Sequence, residues 1–389
     1  MNTPKQELYD ILSNNWGLAT EWKEKADYST PGALNKVLKD EKKEFEKFYG
    51  LVAMIKFIYP NIEDEKEWMI RYTHTLDPNK RTARYMLEYL DINGLHSEKK
   101  KLMNRMLNCS NATSKKWVEV YKIDDRYTEG EISIDEALNQ LSNFSSDNAE
   151  LKVISSIFKA YCYLDKKAFN MIKEVLNIEK DFSMIKDSYI RDVLYGKFLL
   201  LMTIVSEREG SVELTRNFCR KITKEVENKY VIGLAYVHLG NSYMLENFET
   251  SYKYLQKGIF ISNNFSKNNF KQLKRSMNFL HGIWGKESIY NDFESKDFSD
   301  IHNVVYYYIN NEQQEKAKNL LNQIDVSQLN SNELGFNFYL KGLLSRDLDD
   351  FCSSVQHFKN SGDMYFRKLP LIELQKQGVP VNVLELLAV

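Results

Sequence analysis

Cysteine, proline and glycine are scarce in this chain of 389 residues, and no long apolar run occurs. The four cysteines (Cys109, Cys162, Cys219 and Cys352) lie far apart, and none belongs to a Cys-x-x-Cys pair. That excludes a disulfide framework or zinc finger and fits a reducing cytosol. Six prolines and sixteen glycines are too few for a turn-rich all-β fold. The longest apolar stretch, FLLLMTIV at 198–205, is too short to span a bilayer. The opening MNTPKQELYD is no secretory signal, so a soluble cytoplasmic protein without a membrane partner is expected. An excess of one charge is missing too: 53 Lys and Arg face 54 Asp and Glu. This excludes a polybasic coat for nucleic acid while leaving room for a local basic patch. There is no Gly-x-Gly-x-x-Gly, no P-loop and no His-Glu-x-x-His, and the six histidines show no metal spacing. No enzyme activity, cofactor or metal is expected.

What is present is helical periodicity. Apolar residues recur at helix spacing nearly everywhere, as in FYGLVAMIKFIYP before Pro60, TARYMLEYLDINGL before Asn93-Gly94, SVELTRNFCRKITKEV and NNEQQEKAKNLLNQI. Hydrophobic residues make up 43%, including 24 Tyr and 21 Phe, enough for a large core. The fold class is all-α.

Within LGNSYMLENFETSYKYLQKG a glycine precedes a turn near Glu246-Asn247, followed by small, large and small residues at Ser251, Leu255 and Gly258. The order recurs in KGLLSRDLDDFCSSVQHFKNSGD as Gly342, Ser354, Phe358 and Ser361. Ser251 and Ser354 are 103 residues apart, with Ala317 between them. That is about three times the ~34-residue tetratricopeptide length. Small residues let one helix approach its partner, and the large side chain fills the space beside them. The pattern resembles degenerate tetratricopeptide repeats; an irregular helical bundle is the alternative.

The first sixty residues differ. ATEWKEKADYSTPGALNKVLKDE reads as helix, tight turn, helix. Thr30 suits the N-cap and Pro31 the first turn, where a missing N–H costs nothing. Ala33, Leu34, Val37 and Leu38 form an apolar face, and Asn35, Lys36 and Lys39 point outward. A recognition helix needs that arrangement, although any amphipathic surface helix shows it. Asp27 stands where such turns often carry glycine, and aspartate tolerates left-handed backbone better than most residues. NKRTAR at 79–84, with Lys80 and Arg81, is a basic spot within reach of phosphates. SEKKK at 97–101 reads more simply as a solvated loop.

A helix-turn-helix followed by helical repeats is similar to the peptide-regulated receptors of Gram-positive signalling. One branch matches along essentially the whole chain. The sequence resembles the AimR family, the arbitrium receptors with which temperate phages choose between lysis and lysogeny. The match is clearest in LNCSNATSKKWVEVYKI, LGNSYMLENFETSYKYLQKG, IWGKE, NDFES, NSNELGFNFYLKG and RKLPLIELQKQG with the final LELLAV. Trp22, Ala26, Pro31, Leu34 and Leu38 match its DNA-binding segment.

The resemblance implies a DNA-binding domain at 1–60, a right-handed superhelix of repeats that binds a peptide at 61–366, and a capping and dimerisation segment at 367–389. It implies a homodimer that holds double-stranded operator DNA in the host bacterial cytoplasm and activates a lysogeny regulator. A secreted peptide of about six residues then turns the dimer off. It places Asn241, Asn332, Asp363 and Tyr365 in the peptide site. There a carboxamide would pair with peptide backbone and Asp363 with a peptide arginine. Read without the resemblance, Asn332 is a helix cap, Asp363 a solvated turn residue and Tyr365 core. Lys197 is a further groove candidate, equally readable as a solvated lysine. Ile204 and Tyr230 replace polar or basic groove residues of close relatives, and His302-Asn303 replaces Gln-Glu. A different peptide is therefore expected. For DNA the candidates are Thr30, Asn35, Lys36, Lys39, Lys80 and Arg81; for dimerisation, Leu384, Leu386 and Leu387. The alternatives left open are a repeat protein that binds peptide but acts through protein contacts without DNA, and a plain helical scaffold.

Overall fold

The structure is a computed structural model that describes residues 2–166, 168–262 and 267–388. It is all-α: among the described residues there is no strand, and two short 3-10 turns interrupt the helices. No described helix is long and apolar enough to cross a membrane. The chain forms two compact units, Met1–Phe198 and Leu199–Val389, and the division falls within the helix Ser188–Arg208.

In the first unit, helices Ala19–Lys25 and Pro31–Lys39 form the helix-turn-helix. Asp27 takes the left-handed backbone at φ 54°, and Lys47 pairs with its carboxylate. Thr30 caps the second helix, its Oγ1 accepting from the Ala33 N–H at 3.1 Å, and Pro31 holds the first position. Leu34, Val37 and Leu38 are buried while Lys36 and Lys39 are exposed, as an amphipathic helix requires. Helix Phe48–Ile58 lies so close to the turn that a Cβ on Gly50 would stand 2.7 Å from the Ala26 carbonyl carbon. Only glycine permits that approach.

In the second unit, helices Lys229–Tyr243 and Phe248–Ser262 form one hairpin, and Ser331–Ser345 and Leu348–Ser361 another. In the first hairpin the glycine, serine and leucine pack as read. Ser251 Oγ donates to the Gly240 carbonyl at 2.9 Å, and Leu255 covers Gly240. In the later hairpin, Ser354 Oγ donates to the Gly335 carbonyl at 2.7 Å, and Phe358 covers Gly335. The counterpart of Gly240 is therefore Gly335 and not Gly342. Gly342 lies seven residues on, on the same helix face, where Phe351 covers it. Two turns of helix bring a glycine back to nearly the same azimuth, so hairpin register decides which one meets the serine.

Candidate functional site

The polar cluster of the second unit begins at the end of helix Ser188–Arg208. Glu207 and Arg208 stand side by side there. His238 Nδ1 lies 2.8 Å from Glu207 Oε2. Burial works against the Glu207 charge, but His238 outweighs it and holds the carboxyl below its ordinary value. Arg208 Nη1 lies 3.4 Å from Asp363 Oδ2, and the same oxygen accepts from Asn332 Nδ2 at 2.9 Å. Asp363 is 8% exposed, and burial pushes its carboxyl up despite Arg208.

Asn241 follows His238 by three residues on helix Lys229–Tyr243, one turn along the same side. Its Oδ1 is shielded from water and accepts no hydrogen bond. An unpaired buried acceptor is costly, about 1–3 kcal/mol. Asn332 is free for Asp363 because the cap of its helix is Asn330, in a capping box with Glu333.

Other expected peptide residues are placed differently. Tyr365 is 3% exposed within a core cluster, and its hydroxyl accepts from the Leu245 N–H at 3.1 Å. Ile204 is half-buried one turn before Glu207, and Tyr230 is half-buried with its carbonyl held by Asn269. His302 and Asn303 are buried on helix Phe298–Asn310, where the Asn303 amide donates to the Arg275 carbonyl at 3.2 Å.

Lys197 is neither solvated nor open to a peptide. It lies in the first unit, bridged to Glu88 at 2.7 Å and Asp91 at 2.9 Å. Burial opposes its charge, yet these two carboxylates hold its ammonium well above the usual range. Lys99 completes the cluster, joined to Asp91 and Asp125. The 97–101 run is part of helix His96–Leu107 and not a loop, and its central lysine is buried against Asp91 and Asp125.

On the helix-turn-helix, Asn35 is half-buried, with Oδ1 shielded and unpaired, rather than fully outward. Lys80 Nζ donates to the Lys42 carbonyl and Arg81 Nη2 to the Glu46 carbonyl. In the last helix, Leu384 is 9% exposed and belongs to the core of its own unit. Leu387 packs partly on that core, and Leu386 is 76% exposed. Helical spacing cannot say which leucine faces inward when three lie within four residues.

Sequence reasoning missed Glu207, Arg208 and His238. The local sign was an arginine between two glutamates in SEREG, before a glycine.

Known proteins support a common origin. The family described as AimR transcriptional regulator-like matches residues 65–376. The AimR transcriptional regulator of Bacillus phage SPbeta is 31% identical over 378 residues, 97% of each chain. That of Bacillus phage phi3T is 28% identical over 374 residues, 96% of this chain and 97% of its own. Two solved structures are similar. A selenomethionine form of phAimR has TM-score 0.85 and 27% identity over 99% of this chain and all of that one. A ligand form of phAimR has TM-score 0.74 and 28% identity over 86% of this chain and 99% of that one. With the family match spanning most of its length, the chain belongs to the AimR transcriptional regulator-like family, a family of regulators and not of enzymes.

Proposed function

We propose that this regulator binds operator DNA as a dimer through residues 1–60 and is switched off by a short peptide, of about six residues, held in the repeats of residues 61–366. Residues 367–389, with Leu386 outward, close the dimer. Asn241 carries the peptide half of the reading: an unpaired, water-shielded carboxamide oxygen is suited to a peptide N–H. Asn332 and Asp363 supply a second grip, and Ile204, Tyr230, His302 and Asn303 set the shape around it. Thr30, Asn35, Lys36 and Lys39 meet the operator. The ligand form of phAimR supports a ligand for this chain too. The switch is a population shift. Peptide stabilises one arrangement of the repeats, and by reciprocity DNA weakens peptide binding as much as peptide weakens DNA binding. In the phage setting of its relatives, the target gene is a lysogeny regulator.

A mobility-shift assay on the chain's own upstream DNA, with and without a pool of synthetic hexapeptides, tests both halves. Absence of a shift without peptide rejects operator binding. A shift that the pool leaves untouched rejects the switch. Peptide binding without any operator shift instead supports action through protein contacts.

A further inference from the structure

Helix Pro31–Lys39 ends in residues 40–47, which form neither helix nor strand before helix Phe48–Ile58 begins. A peptide segment of this kind has unspent carbonyls, and here cations take them. Lys80 Nζ donates to the Lys42 carbonyl at 3.0 Å, and Arg81 Nη2 to the Glu46 carbonyl at 2.9 Å. Between them Glu44 shares a cavity wall with Lys80; burial pushes its carboxyl up although the charge of Lys80 favours the carboxylate, and its Oε1 is buried without a partner. A turn closed by the Lys43 N–H on the Asp40 carbonyl begins the segment, and the carbonyls of residues 42 and 46 are tied to Lys80 and Arg81 at the start of helix Arg81–Ile92. That helix end also carries the positive pole of its dipole. The other side of the segment is held by the 2% exposed Lys5, which donates to the Lys43 carbonyl at 2.7 Å and to that of Asp40. Phe45 is buried edge-on against Tyr28 and Tyr72. Beside it lies a cavity of about 400 Å³ lined by Lys5, Glu44, Asp77 and Lys80 among others, so polar bonds and not close packing hold that side.

We propose that Lys80 and Arg81 are positioning residues for DNA recognition: they latch residues 40–46 and so set the angle of helix Pro31–Lys39, instead of gripping phosphates themselves. The proposal rests on the DNA-binding reading above. Lys36 and Lys39 sit immediately before the latched segment, so releasing it frees the end of the helix that would face the bases.

The test uses the full chain with substitutions Lys80→Met, Arg81→Met and, separately, Glu44→Gln. Operator and random-DNA affinities are measured across a salt series, and hydrogen exchange is followed at residues 40–47. The latch predicts faster exchange in all three variants. It also predicts roughly tenfold weaker operator binding, on the scale of one lost specific contact, with random-DNA binding and the salt slope unchanged. A phosphate contact predicts a slope smaller by about 0.9 for each lost cation, loss on both DNAs and unchanged exchange. Glu44→Gln separates the two by sign. It removes a negative charge near DNA, so simple electrostatics strengthens binding whereas the latch predicts weakening. Unchanged exchange, a reduced slope, or a tighter Glu44→Gln variant overturns the proposal. A wild-type chain that shifts no upstream DNA overturns it together with the DNA reading, and that failure is visible before any variant is made.

Discussion

Asp187 and Phe48, 139 residues apart, meet through one carboxylate oxygen: Asp187 Oδ2 accepts the Phe48 N–H at 3.0 Å and the Tyr49 N–H at 3.3 Å. The other oxygen, Oδ1, accepts from Tyr189 and Ile190 at 3.1 and 3.3 Å. One aspartate thus caps two helices, its own and the one that follows the helix-turn-helix segment. Burial is the largest influence on its carboxyl and pushes it up, while the N–H groups of Ile190, Phe48 and Tyr189 and the charge of Arg81 pull the other way. Helix Phe48–Ile58 has no cap of its own, since Lys47 precedes it, so the distant aspartate supplies what the local sequence lacks.

Asp187→Ala should leave two helix starts uncapped. At about 1 kcal/mol for each cap lost, the cost is on the order of 2 kcal/mol. Denaturant unfolding of the full chain measures it, and a loss below a few tenths would show that water replaces the carboxylate without penalty.

Asn241→Ala removes an acceptor that has no partner in the fold. Stability should hold or rise slightly, because an unsatisfied buried group is lost. Peptide affinity should fall about tenfold, the value of roughly one hydrogen bond in a desolvated site, while peptide-free operator binding stays. Calorimetry with thermal unfolding checks both; a drop in stability together with DNA binding would mark Asn241 as structural.

Asp363→Asn removes a charge that burial disfavours. For an acid whose folded value is raised, stability is fullest below the unfolded value and declines as pH rises through the folded one. At neutral pH the variant should therefore be no less stable than the parent. Peptide binding should nonetheless weaken, because Arg208 and the ligand lose a carboxylate. Melting temperatures at pH 5 and 7.5 beside a peptide titration decide it.

His302 is buried, and burial lowers its ring from the ordinary 6.5 to about 4. The unfolded chain therefore binds a proton between those values that the folded chain refuses, so stability falls as pH falls from about 6.5 to 4. The loss amounts to on the order of 3 kcal/mol, at 1.36 per pKa unit. His302→Gln should flatten this part of the stability curve. Parallel curves for variant and parent would show that the ring is charged without cost.

Gly50→Ala should cost more than Gly240→Ala. The new methyl would strike the Ala26 backbone in the first case and the movable Leu255 side chain in the second. Overpacking costs about 1–3 kcal/mol, and the lower figure belongs where a side chain can yield. Comparing the unfolding midpoints of the two variants reads the difference directly.

Much of the architecture was legible because its causes are local. Thr30 and Pro31 begin a helix by their own chemistry, and Asp27 accepts the left-handed turn. The serine and leucine of the Ser251–Leu255 pair act within one hairpin. The register of the later hairpin was not legible: Gly335 and Gly342 share a helix face, and only the packed partner distinguishes them. Among the candidate residues, Asn332 donates to Asp363, a contact that neither the spacing nor the resemblance had specified. Arg208, which pairs with Asp363, comes from 155 residues earlier in the chain. Lys197 looks like any helix lysine until the folded first unit brings Glu88 and Asp91 to it.

The sequence by itself determined that the chain is helical, where many helices begin, and which small and large residues let hairpins close. Hydrogen bonds within a few residues and side-chain periodicity settle those matters before any distant contact forms. The tertiary structure alone decided which carboxylates are charged against burial, which carboxamide oxygens, Asn35 and Asn241 among them, remain unpaired, and which lysine is spent on the core. Those outcomes depend on desolvation by residues far away in the chain, and desolvation exists only once the units have packed.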